Sequence, residues 1–338
     1  MNSEAINSLK ERLKNRCRIV LVPHKNPDGD AIGACLGLYH FLRQLGHDVS
    51  PVSPNDFPGF LKWMPGSESV EIFDHNKAKA LDILKEADLI FTLDFNTLDR
   101  CGSMEEYLGA FKGIFVMIDH HQSPGTYARF TFSDTGMSST CEMVYHFIRS
   151  LGEGDRIDAR IAACLYAGIL TDTGSFKYAA TSPTTMRVAA ELMERGAPHT
   201  QIHRDIFDTN RPERLQLLGC ALQNLVILKP YRTAYITLSQ EELDRHDFHK
   251  GDTEGFVNYG LSLRDVVLAA IFIENRDEGI IKISLRSQGS FSVNEMARAH
   301  FEGGGHINAA GGRSTESLEA TVRRFESVLP AYENQLAG

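Results

Sequence analysis

Within the first 172 residues, four clusters of aspartate and histidine end or closely follow an apolar run. His24-Lys25-Asn26-Pro27-Asp28-Gly29-Asp30 follows Arg18–Val22, Asp94 follows Leu89–Leu93, Asp119-His120-His121 follows Gly113–Ile118, and Asp172 closes Gly168–Thr171. Short apolar strands alternating with helices build a mostly parallel sheet, which delivers distant residues to one edge. Carboxylates crowded there repel one another unless a cation holds them together. The pattern therefore restricts the chain to an α/β fold and points to a metal-dependent enzyme.

The spacing predicts an amphipathic helix over 3–16, a buried strand over 18–22, and a helix from Ala31 to Leu45 stopped by Gly46. Helix is expected over 77–86, 138–151 and 158–170, and strand over 88–93 and 113–118. These form a doubly wound, mostly parallel sheet. From Ser182 the character changes. Ser182-Pro183 is an N-cap with proline at the first helical position, and Gly196-Ala197-Pro198 ends that helix. Helical stretches at 198–207 and 211–224 lead to strands at 233–238, 266–274 and 280–286 and a helix near 292–301. The expected organisation is a catalytic domain over 1–195, a helical connector over 196–224 and a smaller α+β domain over 225–338, with a cleft between the two domains.

At 338 residues the chain has room for two cores. Its net charge is −9, with no block of lysine or arginine. That argues against a binder of long duplex nucleic acid, but leaves small phosphorylated substrates open. No apolar run approaches a membrane span, and Met1-Asn2-Ser3-Glu4 does not resemble the start of a signal peptide. The six cysteines are scattered without a Cys-x-x-Cys pair, as expected for reduced thiols of a cytoplasmic protein. A homodimer is expected on general grounds only.

Taken singly, most of the clusters have a plainer explanation. Asn26-Pro27-Asp28-Gly29 is equally a surface turn, Asp94 is better explained as a helix N-cap, and Asp172 is equally a turn or cap residue. Asp119-His120-His121 is harder to justify structurally. An extended Asp28–Asp30 stretch would point both carboxylates the same way. Imidazoles and carboxylates without a thiolate suit Mn²⁺ or a related divalent ion better than a structural zinc. The case rests on the four clusters occurring together.

The order His24-x3-Asp28-x-Asp30, Asp94, Asp119-His120-His121, Asp172 resembles the DHH phosphoesterase superfamily. Gly303-Gly304-Gly305-His306-Ile307-Asn308-Ala309-Ala310-Gly311-Gly312 is similar to the signature of the DHH-associated substrate domain. Size and layout look most like the stand-alone, NrnA-like members. The resemblance implies that His24, Asp28 and Asp94 bind one divalent metal ion and that Asp30, Asp94, His120 and Asp172 bind a second, with Asp94 bridging. Mn²⁺ is the expected metal, with Mg²⁺ or Co²⁺ as alternatives. It further implies that Asp119 orients His120 and that His121 meets the scissile phosphate as a contact or proton donor. Many relatives have serine where this chain has Ala34, a departure that leaves the ligand set intact.

In the second domain, Gly303, Gly304 and Gly305 would let backbone N–H groups approach a phosphate, with His306 at the edge of that nest. A flexible loop explains the triple glycine about as well. Arg286, in Ser284-Leu285-Arg286-Ser287, resembles a guanidinium clamp for a terminal phosphate, and Arg264 and Asn258 are weaker candidates. Phe291, Phe301 and Tyr259 are the aromatics expected to stack on a base. The expected function is hydrolysis of very short RNA, such as pApA, to 5′-mononucleotides, and of 3′-phosphoadenosine-5′-phosphate (pAp) to AMP. The alternatives are an exopolyphosphatase or inorganic pyrophosphatase-like hydrolase, a cyclic di-AMP phosphodiesterase and, from another class, a nucleotide-sensing protein without catalysis.

Overall fold

The computed structural model describes residues 3–337, and the chain divides between Thr209 and Asn210 into two compact units. The first unit runs α1 (Ser3–Arg12), β1 (Arg18–Pro23), α2 (Gly29–Gln44), β2 (Asp48–Ser53), β3 (Glu71–Ile72), α3 (Lys77–Glu86), β4 (Leu89–Leu93), α4 (Glu105–Ala110), β5 (Ile114–Asp119), β6 (Phe130–Ser133), α5 (Thr140–Ser150), α6 (Ala159–Asp172), α7 (Pro183–Glu194) and α8 (His199–Phe207). Its strands form a six-stranded sheet in the order β3-β2-β1-β4-β5-β6, parallel throughout.

Both faces of this sheet are covered, which is why β1, β4 and β5 read as continuous apolar runs. Ile19 and Leu21 pack into one cluster with α2, α5 and α6, while Val20 and Val22 pack into another with α3 and α4. The chain winds outward from β1 to β3, then returns to β4 and winds the other way. The loops that follow β1 and β4 therefore leave neighbouring strands in opposite directions and open a crevice at the carboxyl edge.

A glycine seam brings two helices into that crevice. Gly29, Gly33 and Gly37 recur every fourth residue along α2 and face α6. A Cβ at Gly33 would lie 2.6 Å from the Cys164 carbonyl oxygen, and one at Gly37 would lie 2.6 Å from the Leu165 side chain. The bare surface lets the backbones approach, so the amino end of α2 meets the carboxyl end of α6.

The second unit runs α9 (Pro212–Gln223), β7 (Val226–Leu228), β8 (Thr233–Leu238), α10 (Gln240–Arg245), α11 (Val257–Leu261), β9 (Leu268–Asn275), β10 (Ile280–Ser287), α12 (Val293–His300), β11 (Gly304–Gly305), β12 (Ala309–Ser314), α13 (Leu318–Val328) and α14 (Glu333–Ala337). Its sheet, β11-β12-β10-β9-β8-β7, is mixed: β8 and β9 are parallel and the other pairs antiparallel. The expected doubly wound sheet with a second α+β domain is thus what forms. The helices expected as a connector fall one to each unit, α8 in the first and α9 in the second. The helix expected over 3–16 ends earlier, at Arg12. No helix among the described residues is long and apolar enough to cross a membrane.

Candidate metal centre

Four loops and helix ends converge at the carboxyl edge of the first sheet. His24 follows β1, Asp94 follows β4, Asp119 ends β5 with His120 and His121 behind it, and Asp172 is the last residue of α6. Asp28 and Asp30 flank the start of α2, and here the extended geometry expected from the sequence does not form. Asp28 is the N-cap, its Oδ1 accepting from the backbone N–H of Asp30 (3.0 Å) and Ala31 (3.1 Å). Asp30 lies inside the first turn. The unpaired amides of a helix start recruit one carboxylate as a cap, and the turn aims the other elsewhere.

Three groups of these residues have ligand atoms within 4.8 Å of one another: His24, Asp28 and Asp94; Asp30, His120 and Asp172; and Asp94, Asp119 and His121. Asp94 joins the first two. Its Oδ2 lies 3.5 Å from His24 Nε2 and its Oδ1 lies 3.5 Å from His120 Nε2. His120 Nε2 is also 3.6 Å from Asp172 Oδ2 and 3.9 Å from Asp30 Oδ2. Asp94 has a φ of +67°, a left-handed conformation uncommon outside glycine, and its N–H donates to the Ile118 carbonyl on β5. It is not a helix cap.

The imidazoles are oriented for ligation. His24 Nδ1 lies 2.8 Å from the Lys25 carbonyl, and His120 Nδ1 lies 3.2 Å from the Met137 carbonyl. A carbonyl only accepts, so each Nδ1 carries a proton and each Nε2 is the ring atom turned toward the carboxylates. The resemblance implies that Asp119 orients His120, but the contact it makes is to His121. Its Oδ1 lies 2.7 Å from His121 Nδ1. The backbone carbonyl of Met137 occupies the position at His120 that a carboxylate would take.

The residues from 18 to 169 match the DHH family, N-terminal domain, and those from 230 to 334 match the DHHA1 domain. The chain is 30% identical over 318 residues to the bifunctional oligoribonuclease and PAP phosphatase NrnA of Thermus thermophilus, covering 94% of this chain and 90% of that protein. The chain belongs to the DHH family. It is 26% identical to the cyclic-di-AMP phosphodiesterase GdpP of Bacillus subtilis, covering 96% of this chain and 49% of that protein. Its structure superposes with a TM-score of 0.95 on an exopolyphosphatase-related protein from Bacteroides fragilis, at 39% identity and covering 100% and 98% of the two chains. As a DHH-family phosphoesterase, the chain has its acidic and histidine groups where divalent metal ions would be held.

The electrostatics of this DHH-family centre fit such ions. Burial raises Asp30 well above the usual carboxylate range, and the charges of Asp94 and Asp172 push it further. Asp172 is pushed up to about 7, first by burial. For Asp94, burial works upward, but His24, His121 and His120 outweigh it and hold the carboxyl well below its ordinary value. Burial pulls His24 down, yet Asp94 and Asp28 outweigh it and leave the ring at about 9. His120 also reaches about 9, because Asp172, Asp94 and Asp30 overcome its desolvation. The protein therefore recruits protons to balance buried carboxylates, which a divalent cation would do more completely. The donor set, imidazole and carboxylate with one carboxylate facing two groups, suits Mn²⁺, Mg²⁺ or Co²⁺. Asp119 adds a buried Oδ2 with no hydrogen-bond partner in the structure.

In the second unit the glycine signature departs from the expected nest. Gly303 N–H donates to the Ala297 carbonyl (3.3 Å), Gly305 N–H to Asn294 Oδ1 (3.0 Å) and His306 N–H to the Ala309 carbonyl (2.7 Å). Those amides serve the fold. Gly304 and Gly305 form β11 against β12, and a Cβ at Gly303 would lie 1.9 Å from the Gly311 carbonyl oxygen, so close strand packing already demands glycine there. Arg286 is half-buried on β10, its Nη1 donating to the Leu285 carbonyl (3.0 Å), with Ala269 and Ala309 as cross-strand neighbours. Asn258 lies on α11, and Arg264 is exposed just beyond it. Phe291 and Phe301 are buried in the core and cannot stack on a base, whereas Tyr259 is exposed. Ala34 is fully buried against the first core. Sequence reasoning missed Thr140 and Glu142. Ser139-Thr140-Cys141-Glu142 carries the spacing of a helix-start signature that could have drawn attention to them.

Proposed function

We propose that the chain is a two-metal phosphoesterase that releases 5′-mononucleotides from very short RNA and removes the 3′-phosphate of pAp, with Mn²⁺ as its working metal. The observation that carries this reading is Asp94, whose two oxygens face two separate His/Asp ligand groups. His24, Asp28 and Asp94 would hold one ion, and Asp30, Asp94, His120 and Asp172 the other. Bound divalent ions supply hydroxide near neutral pH and neutralise charge on phosphoryl oxygens. The chain's own residues then position and shuttle. Asp119 fixes the ring orientation of His121 through a 2.7 Å contact at Nδ1, which suits a phosphate contact or a proton donor to the leaving oxygen.

The second domain is proposed to hold the substrate's end through Arg286 and His306, with Arg264 and Asn258 as further contacts and Tyr259 as the stacking ring. Holding one end favours short substrates, and local cations of this kind let an acidic protein take a nucleotide. A polyphosphate hydrolase is the second reading, favoured by the structural likeness to the exopolyphosphatase-related protein.

Product analysis in Mn²⁺ tests both, with labelled RNA dinucleotide, pAp, cyclic di-AMP and tripolyphosphate offered in parallel. Mononucleotides from the dinucleotide, lost in EDTA, are the expected result. Cleavage of tripolyphosphate alone would replace the nucleotide reading with the second one, and no cleavage of any substrate would leave the proteins that bind nucleotides without hydrolysis.

A further inference from the structure

Asp30 and Asp94 come from different elements, yet one turn of chain grips both. The backbone N–H of Thr140 donates to Asp30 Oδ2 (2.6 Å) and that of Cys141 to Asp30 Oδ1 (2.9 Å). The Thr140 hydroxyl donates to Asp94 Oδ1 (2.8 Å). Each bond uses one lone pair of its oxygen and leaves another, and two of these oxygens, Asp30 Oδ2 and Asp94 Oδ1, also lie 3.9 Å and 3.5 Å from His120 Nε2. The amino end of α5 also aims its partial positive charge at Asp30.

That turn is itself held from behind. Glu142 is 1% exposed, and its Oε2 accepts from Ser138 N–H (3.1 Å), Ser138 Oγ (2.6 Å) and Thr185 Oγ1 (2.9 Å). Ser139 Oγ accepts from the Glu142 N–H (3.0 Å) and closes the cap. Burying a carboxylate is costly unless its oxygens are satisfied. Here a buried carboxylate ties the loop before α5 to α7, and its contacts serve the geometry of that turn. We propose that Thr140 and Glu142 are positioning residues for the metal centre: Thr140 sets the two acidic ligands, and Glu142 fixes the turn that carries Thr140. The proposal rests on the metal-centre reading above.

The test is Mn²⁺ titration of the full-length protein by electron paramagnetic resonance, alongside thermal unfolding in EDTA. Thr140→Val keeps both amide bonds to Asp30 and removes only the hydroxyl. Losing a contact behind a ligand weakens metal affinity by about 10- to 100-fold. That loss is expected in Thr140→Val with an unfolding midpoint near wild type in EDTA, and Thr140→Ser should restore affinity. Glu142→Ala should lose affinity likewise, whereas Glu142→Gln, whose amide oxygen can accept the same three bonds, should keep most of it. Wild-type affinity in Thr140→Val overturns the role of Thr140. Wild-type affinity in a folded Glu142→Ala overturns that of Glu142. A wild-type chain that binds no Mn²⁺ instead refutes the metal-centre reading, so the two failures are distinguishable.

Discussion

Gly168→Ala should injure the metal centre without touching a ligand. The new Cβ would lie 2.2 Å from Cys141 Sγ, 3.0 Å from Asp30 Oδ1 and 3.1 Å from the Asp30 Cα. Comfortable carbon contacts are about 3.5–4.0 Å, so α6 must draw away from Cys141 on α5 by more than about 1 Å and from Asp30 on α2 by roughly 0.5–1 Å. Overpacking of this kind costs about 1–3 kcal/mol. Alanine returns about 1 kcal/mol through its better helix propensity, leaving a net loss of about 0–2 kcal/mol. The global change is therefore small, a few degrees in Tm by the usual scaling of about 2–4 °C per kcal/mol. The local change is not small, because what moves is Asp30. A misplacement of about 1 Å at a reacting centre costs on the order of 100-fold in rate. The measurements are the midpoint in EDTA, Mn²⁺ affinity and dinucleotide turnover. Removing the worst contact in Gly168→Ala/Cys141→Ala should recover much of each. A single variant with wild-type turnover and a raised midpoint would refute the argument that this glycine seam sets the site.

Three further outcomes follow from the same geometry. Asp94→Asn and His120→Ala should abolish turnover while leaving the fold near intact, and full activity in either would sink the ligand assignment. Arg286→Ala and His306→Ala should raise KM more than they lower kcat; unchanged KM in both would remove the second domain as substrate holder. In the metal-free protein, stability should fall as pH rises from about 4 to 9. Asp172, at about 7, keeps a proton that the unfolded chain releases near 3.8, so deprotonation favours unfolding across that window. His24 and His120, at about 9, stabilise fully below about 6.5 and lose that contribution as pH rises through their folded values. Calorimetry in EDTA should show this decline, with Mn²⁺ restoring most at alkaline pH; a flat metal-free midpoint from about pH 5.5 to 8.5 contradicts it.

Which parts were legible in the sequence follows from where each signal resides. β1, β4 and β5 are buried on both faces, and their unbroken apolar runs say so. β2 was not legible, because Asp48-Val49-Ser50-Pro51-Val52-Ser53 is half polar and carries a proline; it is a strand through its pairing with β1 and β3. β12, Ala309–Ser314, reads as a loop by its glycines, and its register with β10 is a tertiary fact. The candidate ligands were visible only as a set, because a turn or a helix cap explains most of the clusters singly. The partners behind them were not. Adjacency in Asp119-His120-His121 does not tell which ring meets the carboxylate, and Ser138-Ser139-Thr140 looks like any helix start. Phe291 and Phe301 illustrate the opposite error: an aromatic near a motif is more often core than cleft.

The order of the first sheet also has a consequence in time. No two of its strands form a hairpin, so each pairing waits for a crossover to be completed. His24 emerges early in synthesis and Asp172 more than a hundred residues later, which at ribosomal speed is an interval on the order of ten seconds. Throughout that interval the early histidine and aspartates stand in an unfinished sheet. Under the proposed assignment the second ligand group stays incomplete until α6 brings Asp172, so capture of that ion would report that the domain has closed.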